Sequence, residues 1–275
     1  MDIQKIDCGN LHSYDMKQRF LGSLMNTGFA VLTNTDLAPS MILEIQESWK
    51  SYFQKPMGVK MANKFDPATQ TGYFPYKSET AKGEDLADLK EFYHVYTEAD
   101  IPGIGAGGKL ETNILIHMLK NYGDELLQII GQDLNRGLDL ADTVEVSGRN
   151  LFRPIYYPPV SPDSKGVRAA AHEDINFLTL LVGASASGLE VKDNAGNWHK
   201  VETAPNEVVV NVGDMLQMLS NGVYKSTTHR VVNPNNSTAD RLAMPLFLHP
   251  EKDFDLGPMT AGEYLDERLK ELGLK

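Results

Sequence analysis

The amino-acid sequence predicts a mixed fold with a mainly β core of the sandwich or jelly-roll type and helices packed around it. Helical patterns dominate the first half, and closely spaced short strands separated by turns dominate from about residue 150. No repeat, low-complexity tract or flexible linker divides the 275 residues. We therefore expect one compact structural unit: a mainly helical region over 1–145, a β core over 146–250 and a tail with a helix over 251–275.

The first half combines helical patterns with one short strand. The first helical pattern ends near Gly28, and FAVLT (29–33) then predicts a buried strand. A second helix is stopped by Pro56, and residues 111–131 are the longest helical candidate. Packing in the core explains the apolar stripes of these helices.

The second half contains a series of short strands bounded by turn residues. The turn-rich DNAG (193–196) between two of them predicts a β-hairpin. Thr260 and Glu263 are spaced as a capping box, which predicts a terminal helix. The predicted strands lie in LFRPIYY, FLTLLV, GLEV, NWHKV, NEVVVNVGDML, STTHRVV and RLAMPLFLH.

Composition and charge exclude several classes of protein. The net charge of −11 argues against a nucleic-acid surface, because phosphate contacts need clustered Lys and Arg. We expect neither a signal peptide nor a membrane span, because the N-terminal residues lack the signal pattern and no apolar run approaches about 20 residues. Cys8 is the only cysteine, which fits a reducing, cytoplasmic location and leaves imidazole and carboxylate as the available metal ligands.

Three residues form a candidate metal site. His172 and Asp174 are two positions apart, so on an extended segment their side chains point to the same side. His229 lies 57 residues after His172 in a strand-like stretch and could add a ligand from a neighbouring strand. Two imidazoles and one carboxylate leave the opposite face open, which suits iron(II) that binds oxygen and a co-substrate, although zinc could take the same ligands. The triplet alone is also compatible with an ordinary buried or surface histidine.

Five segments between residues 168 and 247 form a characteristic series: AAHEDINFLTLL, GLEVKDNAGNWHKV, VVVNVGDMLQMLSNG, KSTTHRVVNP and RLAMPLF. In this order they resemble the isopenicillin N synthase-like family of iron(II)/2-oxoglutarate dioxygenases, and the HED triplet also occurs in isopenicillin N synthase itself. Weaker matches, GFAVLTNTDL with SYFQKP and TGYFPYKSE with DLKEFYHV, extend the resemblance over most of the chain.

The resemblance implies a double-stranded β-helix, a distorted, cupin-like jelly roll, with flanking helices and a C-terminal helix. It matches His172, Asp174 and His229 to the iron ligands. Arg241 matches the arginine that anchors the distal carboxylate of 2-oxoglutarate, a task that suits a planar guanidinium. Tyr157 matches a tyrosine that contacts this co-substrate. The implied cofactor set is iron(II), 2-oxoglutarate and O2.

The chain departs from the family pattern at two positions. The family has Arg-x-Ser, whereas Ala243 stands two residues after Arg241 here. The family also has Asn-x-Tyr, whereas Ile155 precedes Tyr157 by two residues. A lost neutral hydrogen bond is worth about 0.5–1.5 kcal/mol, so we expect weaker binding of 2-oxoglutarate but not its loss.

The resemblance implies an oxidoreductase, a dioxygenase that hydroxylates a small-molecule substrate with release of succinate and CO2. One alternative keeps the iron without 2-oxoglutarate, as in isopenicillin N synthase-like or aminocyclopropanecarboxylate oxidase-like oxidases and cyclases. Another is a non-catalytic jelly-roll binding module. The sequence indicates neither the substrate nor the oligomeric state. By position in the family's pocket, the candidate substrate contacts, each of which also fits a packing or surface role, are Phe74, Tyr93, Arg153, Arg168, Asn176 and Phe177.

Overall fold

The computed structural model describes residues 1–80, 85–134, 139–147, 150–160, 166–233 and 239–271, with the side chains of 145–147 left aside. The expected boundary near residue 145 adjoins residues outside these ranges, as does the end of the expected tail. Seven α-helices occur in the described residues: α1 (Tyr14–Thr27), α2 (Pro39–Phe53), α3 (Met57–Met61), α4 (Ala106–Leu134), α5 (Leu140–Ser147), α6 (Asp214–Leu219) and α7 (Ala261–Glu271).

Short strands form two sheets. In chain order the described strands are β1 (Lys5–Asp7), β2 (Phe29–Thr33), β3 (Gly72–Phe74), β4 (Glu91–His94), β5 (Leu151–Phe152), β6 (Ile155–Tyr157), β7 (Ala169–His172), β8 (Leu178–Val182), β9 (Leu189–Lys192), β10 (Trp198–Lys200), β11 (Val208–Val212), β12 (His229–Val231) and β13 (Arg241–Leu248). The larger sheet has the order β1-β2-β11-β8-β13-β6-β4-β3, and β5 also pairs with β13. The smaller sheet has the order β10-β9-β12-β7.

The two sheets pack face to face. One apolar cluster joins Ala169 and Val231 of the smaller sheet to Tyr157 and Ala243 of the larger sheet. A second cluster joins Leu189 and Val191 to Phe29, Val31 and Val209 in the same way. Because the side chains of the two inner faces meet in these clusters, the core is a double-stranded β-helix. The predicted mainly β core with helices around it is confirmed.

The helices cover the outer face of the larger sheet. α4 contacts both β8 and β13, and it approaches so closely that a Cβ atom at Gly123 would lie 2.2 Å from Leu248 Cδ1. The largest apolar cluster fills this layer and includes Leu119, Leu126 and Ile130 of α4. No helix in the described ranges is long and apolar enough to cross a membrane.

Most predicted elements are present. α1 starts at Ser13, whose side chain accepts a hydrogen bond from the Met16 amide, and it ends at Gly28, whose φ of 71° suits a glycine cap. The strand at 29–33 and the hairpin of β9 and β10 are as predicted. The longest helix extends beyond the predicted 111–131 at both ends.

The first half contributes more to the β core than its helical patterns indicate. β1, β3 and β4 were not predicted, because each is only three or four residues long. β4 is also buried along its whole length, so it shows no alternation of polar and apolar residues. Through β2 and β4 the region 1–145 pairs directly with strands of the region 146–250.

Two details of the second half also differ from expectation. LFRPIYY forms two short strands, which are separated at Arg153 and Pro154, where the proline has no amide hydrogen to donate. The end of NEVVVNVGDML forms the start of helix α6. This short helix lies against the segment that follows His172.

Candidate functional site

Three potential ligand side chains converge between the sheets. β7 and β12 are antiparallel neighbours, and their register places His172 directly opposite His229. Asp174 follows two residues after His172. One ligand atom from each of the three residues lies within 4.8 Å of the others, and the distance from His229 Nε2 to Asp174 Oδ1 is 3.9 Å. The expected contribution from a neighbouring strand is therefore present in the geometry.

Backbone carbonyls orient both imidazole rings. Nδ1 of His172 lies 2.8 Å from the Ala170 carbonyl oxygen, and Nδ1 of His229 lies 3.1 Å from that of Thr227. A carbonyl oxygen can only accept, so each Nδ1 carries a hydrogen, and a neutral ring in this tautomer has its lone pair on Nε2. Burial, together with the neighbouring His229, lowers the pKa of His172 to about 4. This ring is neutral at neutral pH, as a metal ligand must be.

The two carboxylate oxygens of Asp174 have different environments. Oδ2 accepts hydrogen bonds from the Thr179 hydroxyl at 2.6 Å and from Asn211 Nδ2 at 2.8 Å, whereas Oδ1 faces His229. Burial favours the neutral acid, but the two histidines and these two donors outweigh it and lower the pKa of Asp174. The carboxylate is thus ionised, with one oxygen held and the other turned towards the histidines.

The start of α6 fixes the segment that carries Asp174. The amides of Asp214 and Gly213 donate to the carbonyl oxygens of Asp174 and Phe177, at 2.7 and 3.0 Å. A Cβ atom at Gly213 would lie 2.1 Å from the Asn176 carbonyl oxygen, so this approach requires glycine. The Asn176 side chain donates to the Leu178 carbonyl at 2.5 Å and so belongs to the same scaffold.

A buried arginine lies at the start of β13. Arg241 is 2% exposed, and its Cζ lies 5.1 Å from the ring centre of Tyr157, its partner across the strands. Nε donates to the Ala186 carbonyl at 3.0 Å, whereas Nη1 is buried without a hydrogen-bond partner among the described residues. Burial lowers the pKa of Arg241, but an arginine still keeps its charge. A buried cation with an unused N–H group is suited to hold a carboxylate.

The two departures from the family pattern lie side by side. Ile155 and Ala243 are direct partners across β6 and β13, and both belong to the apolar cluster that contains Tyr157 and Ala169. A hydroxyl and an amide of the pattern are therefore replaced by one apolar pair. Replacing both polar groups together leaves neither of them buried without a partner.

A cavity of about 670 Å³ opens beside these side chains. His172, Asp174, Tyr157 and Ile155 line it, so two of the three potential ligands face empty space and not a filled core. Its volume lies within the range of small-molecule sites, roughly 300–1,000 Å³. This arrangement does not fit a purely structural metal site, which keeps no open position.

A network of charged side chains forms another part of the cavity wall. Lys90 Nζ lies 2.6 Å from Glu79 Oε2 and 2.7 Å from Asp88 Oδ2. Burial opposes ionisation of Glu79, but Lys90 and Arg153 outweigh it and lower the pKa of Glu79 to about 2. His94 also lines the cavity. The segments TGYFPYKSE and DLKEFYHV contributed to the family resemblance, but these groups were not predicted as site residues, because β4 was not recognised as a strand.

Of the six candidate substrate contacts, two line the cavity and four do not. Arg153 and Asn176 line the cavity. Phe74, Tyr93 and Phe177 do not line it and are packed in apolar clusters, which gives them the packing role that their type also allowed. Arg168 is fully buried, donates to the Ala239 carbonyl oxygen and does not line the cavity either.

Comparisons with known proteins agree with this geometry. Residues 149–250 match the model of the 2OG-Fe(II) oxygenase superfamily, and residues 2–112 match that of the N-terminal region of non-haem dioxygenases in morphine synthesis. Jasmonate-induced oxygenase 1 of Arabidopsis thaliana is 28% identical over 270 residues, which are 94% of this chain and 65% of that enzyme. The chain thus spans about two thirds of that relative's length.

Two solved structures are similar over nearly their whole length. A 2OG-Fe(II) oxygenase family protein from Caulobacter crescentus is 33% identical, with 98% of each chain covered and a TM-score of 0.84. A full-length Neurospora crassa protein, solved in complex with alpha-KG, that is, 2-oxoglutarate, is 25% identical, with 98% of this chain and 96% of that chain covered and a TM-score of 0.83.

Proposed function

Since the chain belongs to the 2OG-Fe(II) oxygenase superfamily and is an oxidoreductase that uses iron(II), 2-oxoglutarate and O2, we propose that His172, Asp174 and His229 are its iron ligands. The observation that carries this proposal is the convergence of one ligand atom from each residue within 4.8 Å, beside an open cavity. Both Nε2 lone pairs and Asp174 Oδ1 are left available by the hydrogen bonds that orient these side chains.

Arg241 and Tyr157 are the proposed site for the distal carboxylate of 2-oxoglutarate. The buried Nη1 of Arg241 has no hydrogen-bond partner in the described part of the chain, which supports a carboxylate acceptor there. Ile155 and Ala243 supply apolar contact next to it and no hydrogen bond. The charge-assisted interaction with Arg241 is the larger contribution, so the co-substrate is retained with reduced affinity.

When bound, iron(II) and 2-oxoglutarate supply the activation of O2, and hydroxylation is balanced as substrate, 2-oxoglutarate and O2 giving hydroxylated substrate, succinate and CO2. The protein positions the proposed ligands and limits the access of water to the site. Thr179 and Asn211 hold Asp174, the carbonyls of Ala170 and Thr227 hold the imidazoles, and the apolar pair of Ile155 and Ala243 limits water near the co-substrate.

The substrate is proposed to be a small molecule. A cavity of about 670 Å³ that is lined partly by the proposed iron ligands supports this size class.

The net charge of −11 supports the proposal that nucleic acid is not a partner. A cytoplasmic location also stays a proposal, which is based on the single cysteine.

Reaction stoichiometry tests the proposed function. Purified protein with iron(II) and 2-oxoglutarate is expected to form one succinate per O2 consumed, and omission of 2-oxoglutarate is expected to stop O2 uptake. Uptake that continues unchanged without 2-oxoglutarate would instead support an oxidase or cyclase of the isopenicillin N synthase type. No iron-dependent uptake with any of a broad set of small molecules would support a binding module.

A further inference from the structure

One part of the cavity wall combines a positive charge with two unused hydrogen-bonding atoms. Arg153 lies between β5 and β6, and His94 ends β4. Val95 forms a bridge with Phe152, and Phe92 pairs with Ile155, so the register places His94 beside Arg153. Both side chains line the cavity that His172 and Asp174 also line.

Arg153 is positioned by aromatic rings more than by hydrogen bonds. Its Cζ lies 4.8 Å from the ring centre of Phe92 and 5.3 Å from that of Phe247. The distance from its Nη1 to Glu79 Oε1 is 3.7 Å, which is too long for a hydrogen bond. Its Nε is buried and has no partner among the described residues. The two rings therefore hold the guanidinium in place, and its Nε can still donate a hydrogen bond.

His94 offers an acceptor at the same wall. It is 3% exposed, and its Nδ1 lies 3.2 Å from the Gln70 carbonyl oxygen, to which it donates. Burial, reinforced by Arg153, lowers the pKa of His94 well below its usual value, so the ring is neutral. Nε2 is then an acceptor, and it is buried without a partner in the described ranges. The large majority of buried polar atoms in proteins have a hydrogen-bond partner, so an acceptor of this kind beside a cavity is suited to receive a donor from a bound molecule.

The two carboxylates of this wall, those of Glu79 and Asp88, have partners that are closer than Arg153. Glu79 and Asp88 both lie within 2.7 Å of Lys90, and Asp88 Oδ1 also accepts from the Ala170 amide at 2.9 Å. Arg153 lies 3.7 Å from Glu79, so among these two carboxylates it has no hydrogen-bond partner. Because Glu79 lies close to Arg153, a ligand with one negative charge fits this wall better than one with two.

We propose that Arg153 and His94 bind the substrate, and that the substrate is a small monocarboxylic acid that also carries a hydrogen-bond donor. The carboxylate pairs with Arg153, and an O–H or N–H group of the same molecule donates to His94 Nε2. The proposal rests on the proposed function, because it takes the cavity beside the iron ligands as the substrate site. It assigns these two residues a role separate from that of Arg241, which faces 2-oxoglutarate.

A panel of matched ligands tests the proposal by binding. Phenylacetic acid, mandelic acid and further aryl and alkyl carboxylic acids, with and without a hydroxyl group beside the carboxylate, are each paired with the primary amide. The shift in melting temperature is measured anaerobically on protein that contains iron(II) and 2-oxoglutarate. We expect acids to stabilise the protein more than their amides, and hydroxy acids to do so more than plain acids.

Three variants assign the effect to residues. Arg153→Gln is expected to weaken acid binding by roughly 10- to 100-fold and to remove the preference for acids over amides. His94→Phe, which fits the aromatic neighbours Phe74 and Phe92, is expected to remove only the advantage of the hydroxyl group. Arg230→Gln is the matched control, because Arg230 also stacks on a ring, that of Trp198, but does not line the cavity.

Two results would overturn the proposal: no preference for acids over amides in the wild-type protein, or a preference that persists in Arg153→Gln. The dissociation constant of 2-oxoglutarate is measured in parallel for every variant. If it rises in Arg153→Gln as much as acid binding weakens, Arg153 acts on the co-substrate and the assignment is wrong. Failure of the wild-type protein to bind iron(II) or 2-oxoglutarate would instead contradict the proposed function.

Discussion

At the scale of single residues, hydrogen bonds around Asp174 decide which of its oxygens is available to a metal. Thr179 and Asn211 occupy Oδ2 and leave Oδ1 towards the histidines. Thr179 also lies 3.2 Å from Asn176 Nδ2, so one hydroxyl connects the carboxylate to the segment behind it. The position of this hydroxyl should therefore matter to a metal that it never touches.

Replacement of Thr179 by Val tests this arrangement. The change keeps the shape of the side chain but removes the hydroxyl, and we expect iron(II) to bind roughly 10-fold more weakly because Asp174 loses a fixed orientation. Anaerobic titration with iron(II) measures the affinity. Thr33→Val is the control, since the Thr33 hydroxyl donates to the Ile6 carbonyl away from the site. Equal affinities in the two variants would contradict the proposed role of Thr179.

Introducing the family's serine at Ala243 tests whether the apolar pair of Ile155 and Ala243 lies near the proposed co-substrate site. In Ala243→Ser the new hydroxyl lies opposite Ile155 and beside Tyr157, and a bound carboxylate can accept its hydrogen bond. We expect the dissociation constant of 2-oxoglutarate to fall about 2- to 10-fold, as for one neutral hydrogen bond. Calorimetric titration with 2-oxoglutarate measures it. Unchanged or weaker binding would show that the distal carboxylate lies elsewhere.

The charged wall makes a prediction about pH. Lys90 and Arg153 lower the pKa of Glu79 in the folded protein to about 2, below its usual value of 4.5. Glu79 therefore stabilises the fold above about pH 4.5, and this contribution is lost as the pH falls from there towards 2. We expect Glu79→Gln to reduce the free energy of unfolding by about 1–3 kcal/mol at pH 7 and by less at pH 3.5.

Urea unfolding of the metal-free wild-type and Glu79→Gln proteins at pH 7, 5 and 3.5 checks this prediction. Metal-free protein is used so that pH-dependent metal binding does not enter the comparison. A difference in stability that stays constant or grows as the pH falls would contradict a lowered pKa of Glu79 in the folded protein.

At the scale of elements, the contact between α6 and the segment after β7 holds the site together. Three amides at the start of α6, those of Gly213, Asp214 and Met215, donate to carbonyls of this segment, and Gly213 allows the backbones to approach. The proposed metal site thus depends on a helix that contributes none of its proposed ligands.

Gly213→Ala is expected to weaken iron(II) binding at least about 10-fold and to lower the melting temperature, because a Cβ atom would lie 2.1 Å from the Asn176 carbonyl oxygen and force the segment to move. Gly107→Ala in α4 is the matched control, since a Cβ atom there meets nothing within 4 Å. That control should leave iron binding unchanged and keep or slightly raise stability. Unaltered iron binding in Gly213→Ala would show that α6 does not position Asp174.

Sequence patterns revealed some elements of the site and hid others, for physical reasons. On an extended segment, residues two positions apart point to the same side, so the spacing of His172 and Asp174 predicts from the sequence alone that their side chains converge. His229 lies in another strand, which pairs with the strand of His172. β4 carries no such pattern, because it is buried on both faces and places Glu91 and His94 in the interior. The charged wall of the cavity was missed together with it.

At the scale of the whole molecule, the β-helix brings distant parts of the chain to one cavity. The larger sheet supplies Ile155 and Tyr157, the smaller sheet supplies His172, and the first half supplies Lys90 and His94 through β4 and the residue before it. The predicted regions 1–145 and 146–250 describe local character, whereas the sheet and the cavity wall use both. The resemblance to a family predicted the ligand pattern, whereas the residues that line the cavity followed only from the packing of the whole chain.

The central claim is that His172, Asp174 and His229 bind iron(II) next to a 2-oxoglutarate site anchored by Arg241. Anaerobic titration of metal-free protein with iron(II) and then 2-oxoglutarate, followed by visible absorption, tests it most directly. We predict one iron per chain and a charge-transfer band that depends on 2-oxoglutarate. The band is expected to be absent in His172→Ala. In Arg241→Met it is expected to require roughly 10- to 100-fold more 2-oxoglutarate. A band of unchanged intensity in His172→Ala, or no band in the wild-type protein at saturating 2-oxoglutarate, would contradict the claim.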